Sequence, residues 1–230
     1  MHACTRVLPS ESLVSQKIST PTSTLKKTPL HSLHKTLGAR MSAFAGFDMP
    51  INYGTGIIAE HKHCREEAVL FDASHMAQFR IHGPGTLLET AEALEKVVPA
   101  NIRELPPGRL CYTMFTNDRG GILDDLIVAR DGSHFRLIGN ASRREIDEKI
   151  LLESLPSIIS YELLDHALLA LQGPKAETVL GRHSLRLDTL DFMWGTKTEI
   201  AGLNCWVSRS GYTGEDGYEI SVRADRAAEL

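Results

Sequence analysis

No stretch of the 230-residue sequence approaches the roughly 18–20 consecutive apolar residues that a membrane-spanning helix requires, so a soluble protein is expected. Cysteine is sparse: Cys4, Cys64, Cys111 and Cys205 are four in all and widely separated, with no pair at CxxC spacing. That spread argues against a zinc or disulfide framework and reads as free thiols in a reducing compartment. Charged residues make up 23% with a net charge of -4 and no long run of one sign. A nucleic-acid binder would gather a basic excess on one face, and nothing in this balance points to a membrane-surface partner. There is no G-x-S-x-G elbow and no G-x-G-x-x-G fingerprint, so neither a hydrolase nor a flavin or nicotinamide domain is indicated. His61-Lys62-His63-Cys64 invites a metal reading, but on a helix His61 and His63 face different ways, so no metal site is expected.

What the chain does have is an ordinary globular share of apolar residues, 42%, enough for one sizeable core or two smaller ones. Residues 1–27 differ from the rest. They are rich in Ser and Thr, carry Arg6, Lys17, Lys26 and Lys27 against the single acid Glu11, and lack a secretory apolar core. That composition fits a mitochondrial transit peptide, although Pro9 and Pro21 interrupt its helical amphipathicity, and a disordered tail with no address is the other reading.

The body reads as α+β. Gly38 to Tyr53 suggests a loop and short strand, and Gly54 to Leu70 a short helix. Phe79–His82 alternates as a strand, and the spacing from Thr86 to Val97 predicts a helix ending before Pro99. Strands follow at Leu110–Phe115, Ile122–Ala129 and Phe135–Gly139, joined by turns at Asn117–Gly121 and Asp131-Gly132, so the sheet should be mainly antiparallel. Arg143–Leu155 reads as helix, Ala167–Leu171 as a buried strand and Lys175–Leu180 as a short helix. Cys205–Arg209 and Tyr218–Val222 form a hairpin around a glycine-rich turn. Asp225 could cap a helix over Arg226–Leu230, which stops after barely one turn and makes the chain read as truncated.

Two segments carry the chemistry. In Gly120–Val128, strand alternation puts Asp124 on the face of Ile122, Leu126 and Val128, and Asp125 on the face of Leu123 and Ile127. Both faces are apolar, so at least one carboxylate sits in a partly apolar setting and needs a partner or a task. Closure of the preceding turn is an equal alternative. In Ser210–Ile220, three glycines permit tight turns, while Glu215 and Asp216 would repel phosphate. Alternation places Glu219 with Ser221, opposite Tyr218, Ile220 and Val222. Periodicity alone makes Glu219 a solvated surface residue. The functional alternative is a carboxylate offered to a flat heterocycle with adjacent N–H donors, which it can meet with two parallel hydrogen bonds.

Five segments together resemble the glycine cleavage T protein family, the aminomethyltransferases: Thr28–His31, Phe71–Met76, Gly120–Val128, Leu171–Pro174 and Gly211–Glu219. Their order and separation carry the resemblance, which covers nearly everything from Thr28 to Leu230. It implies a folate-binding fold with an antiparallel domain and a ferredoxin-like domain that interleave in sequence, and a C-terminal barrel lying largely beyond Leu230. Residues 28–230 would then be the folate-binding region. Arginine-containing segments that the family places downstream would also fall outside the chain.

The resemblance further implies roles. Asp124 matches the family's essential aspartate and Glu219 the carboxylate that holds the pterin ring. Tyr212, Tyr112, Met76 and Asn140 fall where the family lines the folate pocket, though Met76 could be core and Tyr112 a strand residue packing on its neighbour. The implied reaction takes the one-carbon unit from the aminomethyl-lipoyl arm of H protein to tetrahydrofolate, giving 5,10-methylenetetrahydrofolate and ammonia. Tetrahydrofolate is a co-substrate, with no metal and no flavin. The P and L proteins of the system are indirect partners, and the mitochondrial matrix is the expected location. Two rivals remain: the folate portion of a demethylating oxidoreductase, which the leader directly before Thr28 disfavours, and a non-catalytic folate-binding protein.

Overall fold

The computed structural model describes residues 24–184, 187 and 189–230. Cys4 and almost all of the transit-peptide reading over 1–27 lie outside the described residues. Among the described residues, twelve strands and five α-helices follow in chain order: α1 (His31–Thr36), β1 (Arg40–Phe44), β2 (Phe47–Asn52), α2 (Ile57–Glu66), β3 (Val69–Asp72), β4 (Ala77–His82), α3 (Leu87–Leu94), β5 (Leu110–Thr116), β6 (Ile122–Asp131), β7 (His134–Gly139), α4 (Arg144–Ser154), β8 (Ser160–Leu163), β9 (His166–Gln172), α5 (Ala176–Leu180), β10 (Gly195–Ile200), β11 (Leu203–Arg209) and β12 (Gly217–Arg223). Every pairing between these strands is antiparallel.

The strands form a small β1-β2 hairpin and two five-stranded sheets, β10-β11-β12-β9-β3 and β5-β6-β7-β4-β8. The first sheet takes β3 from before the second and then resumes at β9, so the two sheets alternate along the chain. In the second sheet, β8-β4-β7-β6 with α3 and α4 has the order of a split βαβ, ferredoxin-like unit. The α3 start is fixed by a capping box between Thr86 and Glu89, which satisfies two otherwise orphaned N–H groups. The described residues form no closed barrel, and no described helix is long and apolar enough to cross a membrane.

Three apolar layers hold this together. Ala91 and Leu94 of α3 and Leu151 of α4 pack with Phe79, Leu126, Val128 and Leu137 on one face of the second sheet. Leu169, Val207, Tyr218 and Ile220 form a core on the outer face of the first sheet with Ala176 and Leu180 of α5. Between the sheets lie Leu110, Ile127, Ala129 and Ile138 from one and Leu168 and Trp206 from the other. Central strands are therefore covered on both faces, and β12 is buried at six of its seven positions.

Several expectations need correction. Gly54 to Leu70 is not one helix: α2 ends at Glu66 and Val69–Asp72 pairs with β9 as an edge strand, because Val69-Leu70-Phe71 favours an extended, pleated surface. The loop and short strand at Gly38–Tyr53 is a complete hairpin. Strands β8 and β10 and helix α1 were not foreseen. At the end of the chain, Ala224–Arg226 is a single 3-10 turn without a side-chain cap; Asp225 pairs with Arg223 instead.

Candidate functional site

Strand β6 does not alternate cleanly. Phe115 lies opposite Asp124, but Thr116 lies opposite Ile122, leaving Leu123 as an unopposed bulge residue. A bulge puts two residues of one strand against one of its partner and re-aims the side chains around it. Leu123 consequently packs on the same core as Leu126 and Val128, not with Ile127, and Ile122 is left exposed. Asp124 is drawn into the protein and is 7% exposed. Asp125 remains on the inter-sheet face and is exposed.

Asn140, directly after β7, bridges the two acids. Its amide Nδ2 donates to Asp124 Oδ1 at 3.0 Å and to the Asp125 carbonyl and Oδ1 at 3.1 Å each. Its backbone N–H donates to Asp124 Oδ2 at 3.4 Å. Tyr112 of β5 shares the inter-sheet face with Leu110 and donates its hydroxyl to Asp125 Oδ2 at 2.8 Å. That bond, to a carboxylate that favours the protonated phenol, is the main cause of the raised Tyr112 pKa.

Opposite stands Glu219 of β12. It pairs across the ladder with Ser208 and Ala170, on the sheet face that also presents Trp206 and Leu168 to the inter-sheet layer. It is 4% exposed. The solvated position that periodicity favoured is thus overturned, because β12 is a central strand with both faces covered. Burial pushes the Glu219 carboxyl up, opposed by the hydroxyl of Ser210, which donates to Oε2 at 2.6 Å. Ser208 hydrogen-bonds Ser210 in turn at 2.8 Å. Among the described residues Oε1 has no hydrogen-bond donor, so one edge of a buried carboxylate is free to accept.

Tyr212, in the loop between β11 and β12, links the two sides. Desolvation raises its hydroxyl above the ordinary range, and Glu219, then Tyr112 and Asp125, add to the effect. Tyr212 and Tyr112 are 66% and 53% exposed, so two aromatic rings stand open to solvent at this end of the inter-sheet layer. Met76 is partly buried against the inter-sheet cluster. The loop carrying Tyr212 is anchored by Gln172, whose amide donates to the Ser210 carbonyl at 2.9 Å and whose oxygen accepts from Thr213 at 2.9 Å.

The structure therefore brings Asp124, Asn140 and Tyr112 together on one sheet, and Glu219 with Tyr212 on the other. Sequence reasoning missed Asp125 as the exposed acid held by Tyr112 and Asn140, Ser210 as the Glu219 donor, and Asp147. Asp147 stands at helical spacing with Ile150 and Leu151, which is a core position, and that spacing was the available signal. No group of three or more His, Cys, Asp or Glu side chains among the described residues is placed to hold a metal ion. Cys64, Cys111 and Cys205 are free thiols.

With that geometry in place, similarity to known proteins decides the family. The GCVT N-terminal domain model matches residues 30–230. The chain belongs to the GCVT N-terminal domain family. It is similar to the mitochondrial aminomethyltransferase of Dictyostelium discoideum, at 40% identity over 90% of this chain and 53% of that one. An aminomethyltransferase of Halothermothrix orenii is 41% identical over 90% of this chain and 57% of its own length. The crystal structure of glycine cleavage system aminomethyltransferase T from Bartonella henselae superposes with a TM-score of 0.82 at 38% identity, covering 90% of this chain and 56% of that one. The chain thus spans about half the length of the curated relatives it matches, and this GCVT N-terminal domain has their fold over that span.

Proposed function

We propose that this GCVT N-terminal domain binds tetrahydrofolate in the cleft between Asp124 and Glu219, as part of an aminomethyltransferase of the glycine cleavage system. Residues 28–230 would be the folate-binding region, two interleaved subdomains behind a leader addressed to the mitochondrial matrix. The names of the eukaryotic relatives support that location. The partner in the reaction would be the lipoylated H protein, with the P and L proteins acting around it.

The observation that carries the reading is Glu219: a buried carboxylate held by Ser210 through one oxygen and open at the other. Such a group suits a planar heterocycle edge with adjacent N–H donors, since charge-assisted, parallel hydrogen bonds are the strong and orienting kind. When bound, tetrahydrofolate supplies the nucleophilic nitrogens that accept the one-carbon unit. The exposed faces of Tyr212 and Tyr112 wall the ring, and Met76 adds apolar contact from below. Asn140 fixes the Asp124 carboxylate, which orients the reacting nitrogens and stabilises positive charge as the lipoyl sulfur leaves. Positioning and preorganised charge are the two largest contributions available to such a site.

The roles differ, and kinetics separates them. Asp124→Asn is expected to lower ammonia release from glycine-loaded H protein far more than it weakens tetrahydrofolate binding. Glu219→Ala is expected chiefly to weaken binding. Equal losses of folate affinity in both variants, with turnover per bound folate intact, would refute the division of labour.

A further inference from the structure

Behind Asp124 lies a second acid that the proposed reaction does not use. Asp147 of α4 is 0% exposed, and neither of its carboxyl oxygens has a hydrogen-bond donor from the protein. It reaches the sheet over Gly139: a Cβ on that residue would stand 2.7 Å from Asp147 Oδ2, so only glycine lets the carboxyl approach so closely. From there it is within hydrogen-bonding reach of Asp124, with Asp125 also raising it and Arg143 a cation that lowers it. Arg143 itself is engaged, donating to the Leu123 carbonyl.

Two carboxylates facing each other both accept and neither donates. In a site closed to water the repulsion is met by keeping one proton on the pair. We propose that Asp147 is a positioning residue that carries this proton and donates an O–H hydrogen bond to the Asp124 carboxylate, fixing its orientation from the side opposite Asn140. The proton stays on an Asp147 oxygen, and Asp124 keeps its charge for the cleft. Burial first and Asp124 second push the Asp147 carboxyl up to about 8 from 3.8, so the bond is present at neutral pH and is lost as pH rises past that value. Above it, two negative charges face each other and Asp124 loses its second anchor.

The purpose of this device rests on Asp124 being the working carboxylate of the proposed folate site. Its existence does not, and it is tested without folate. Infrared spectra of the chain at neutral pH should contain the carbonyl stretch of a protonated carboxyl, distinct from the carboxylate bands, that titrates with a midpoint near 8. Asp147→Asn should abolish that band. Asp124→Asn, which removes the neighbouring charge, should retain it with a midpoint moved to lower pH. No protonated band in the unaltered chain, persistence of the band in Asp147→Asn, or an unmoved midpoint in Asp124→Asn would each overturn the pairing. In the activity assay with H protein, Asp147→Asn keeps an N–H donor for Asp124 and should abolish the alkaline loss of turnover, whereas Asp147→Ala should lower turnover at all pH values. A band that behaves as described in a chain indifferent to folate would leave the pair standing and sink the function.

Discussion

Asn140 donates its side-chain amide to Asp124 at 3.0 Å and to Asp125 at 3.1 Å, so a single residue after β7 clamps both acids of the Asp-Asp strand. Replacing it with alanine strips the buried carboxylate of the amide that donates to it. Loss of a hydrogen bond to a charged, buried group costs about 1.5–3 kcal/mol. Asn140→Ala should therefore unfold at lower urea concentration by that amount, with an unchanged dependence on denaturant. A shift under about 0.5 kcal/mol, the size of an ordinary surface substitution, would show that the clamp is not formed.

The Ser210 hydroxyl opposes the upward push of burial on the Glu219 carboxyl. Ser210→Ala should raise the Glu219 carboxyl further above 4.5. Glu219 is raised on folding, so its stabilising effect is complete below the unfolded value and fades as pH rises through the folded one. Ligand binding that needs the carboxylate runs the opposite way and fails first at acid pH. The acid limb of tetrahydrofolate affinity should accordingly move to higher pH in Ser210→Ala, and an unmoved limb would separate Ser210 from the site.

Asp131 lies far from the cleft and tests the electrostatics of the sheet itself. A hydrogen bond from Arg136 at 2.7 Å and the close approach of the His134 ring at 3.1 Å outweigh the cost of its burial and hold the carboxyl well below 3.8, and Arg136 stacks over Trp206 with 5.0 Å to the ring centroid. A depressed acid contributes stability that is present above the unfolded value near 3.8 and is lost as pH falls toward the folded one. Asp131→Asn leaves a buried guanidinium without its counter-charge, a loss of about 3–5 kcal/mol for a broken buried pair. Thermal melts should show the gap between the two proteins wide at pH 7 and narrowing below pH 4.

Gly217 opens β12 and admits no side chain: a Cβ there would stand 2.4 Å from the Leu171 carbonyl oxygen. That obstacle is backbone and cannot swing away. Gly217→Ala should destabilise the chain by about 1–3 kcal/mol or more, as overpacking does, and should weaken folate binding by displacing the Tyr212 loop. Wild-type stability in this variant would mean that the loop sits differently.

Local signals made much of the architecture legible. Alternation and turn residues located β5, β6 and β7, and the Thr86 cap with its apolar spacing located α3. Strands β8 and β10 escaped because Ser160–Leu163 and Gly195–Ile200 carry little periodic contrast, and β3 escaped because its apolar residues continued the pattern of α2. At the site, the position of Glu219 could not be read from alternation. A central strand buries its polar face too, and which strands are central is settled by pairings far apart in sequence. The bulge at Leu123 was hidden for the same reason, since a register shift belongs to the pair of strands. Asp147 stood in plain view as an acid at a core position, but its neighbour Asp124 is 23 residues earlier in the sequence and only the fold brings them together.

The central claim is that Glu219 grips the pterin edge, and calorimetric titration of tetrahydrofolate into the chain and into Glu219→Gln tests it most directly. Glutamine keeps the shape but replaces one acceptor oxygen with a donor, so the paired N–H groups of the ring meet one acceptor and one clash. Binding to the unaltered chain should be measurable, with an affinity lower by about tenfold or more in the variant, which corresponds to about 1.4 kcal/mol or more. Equal affinity in the two proteins would contradict it.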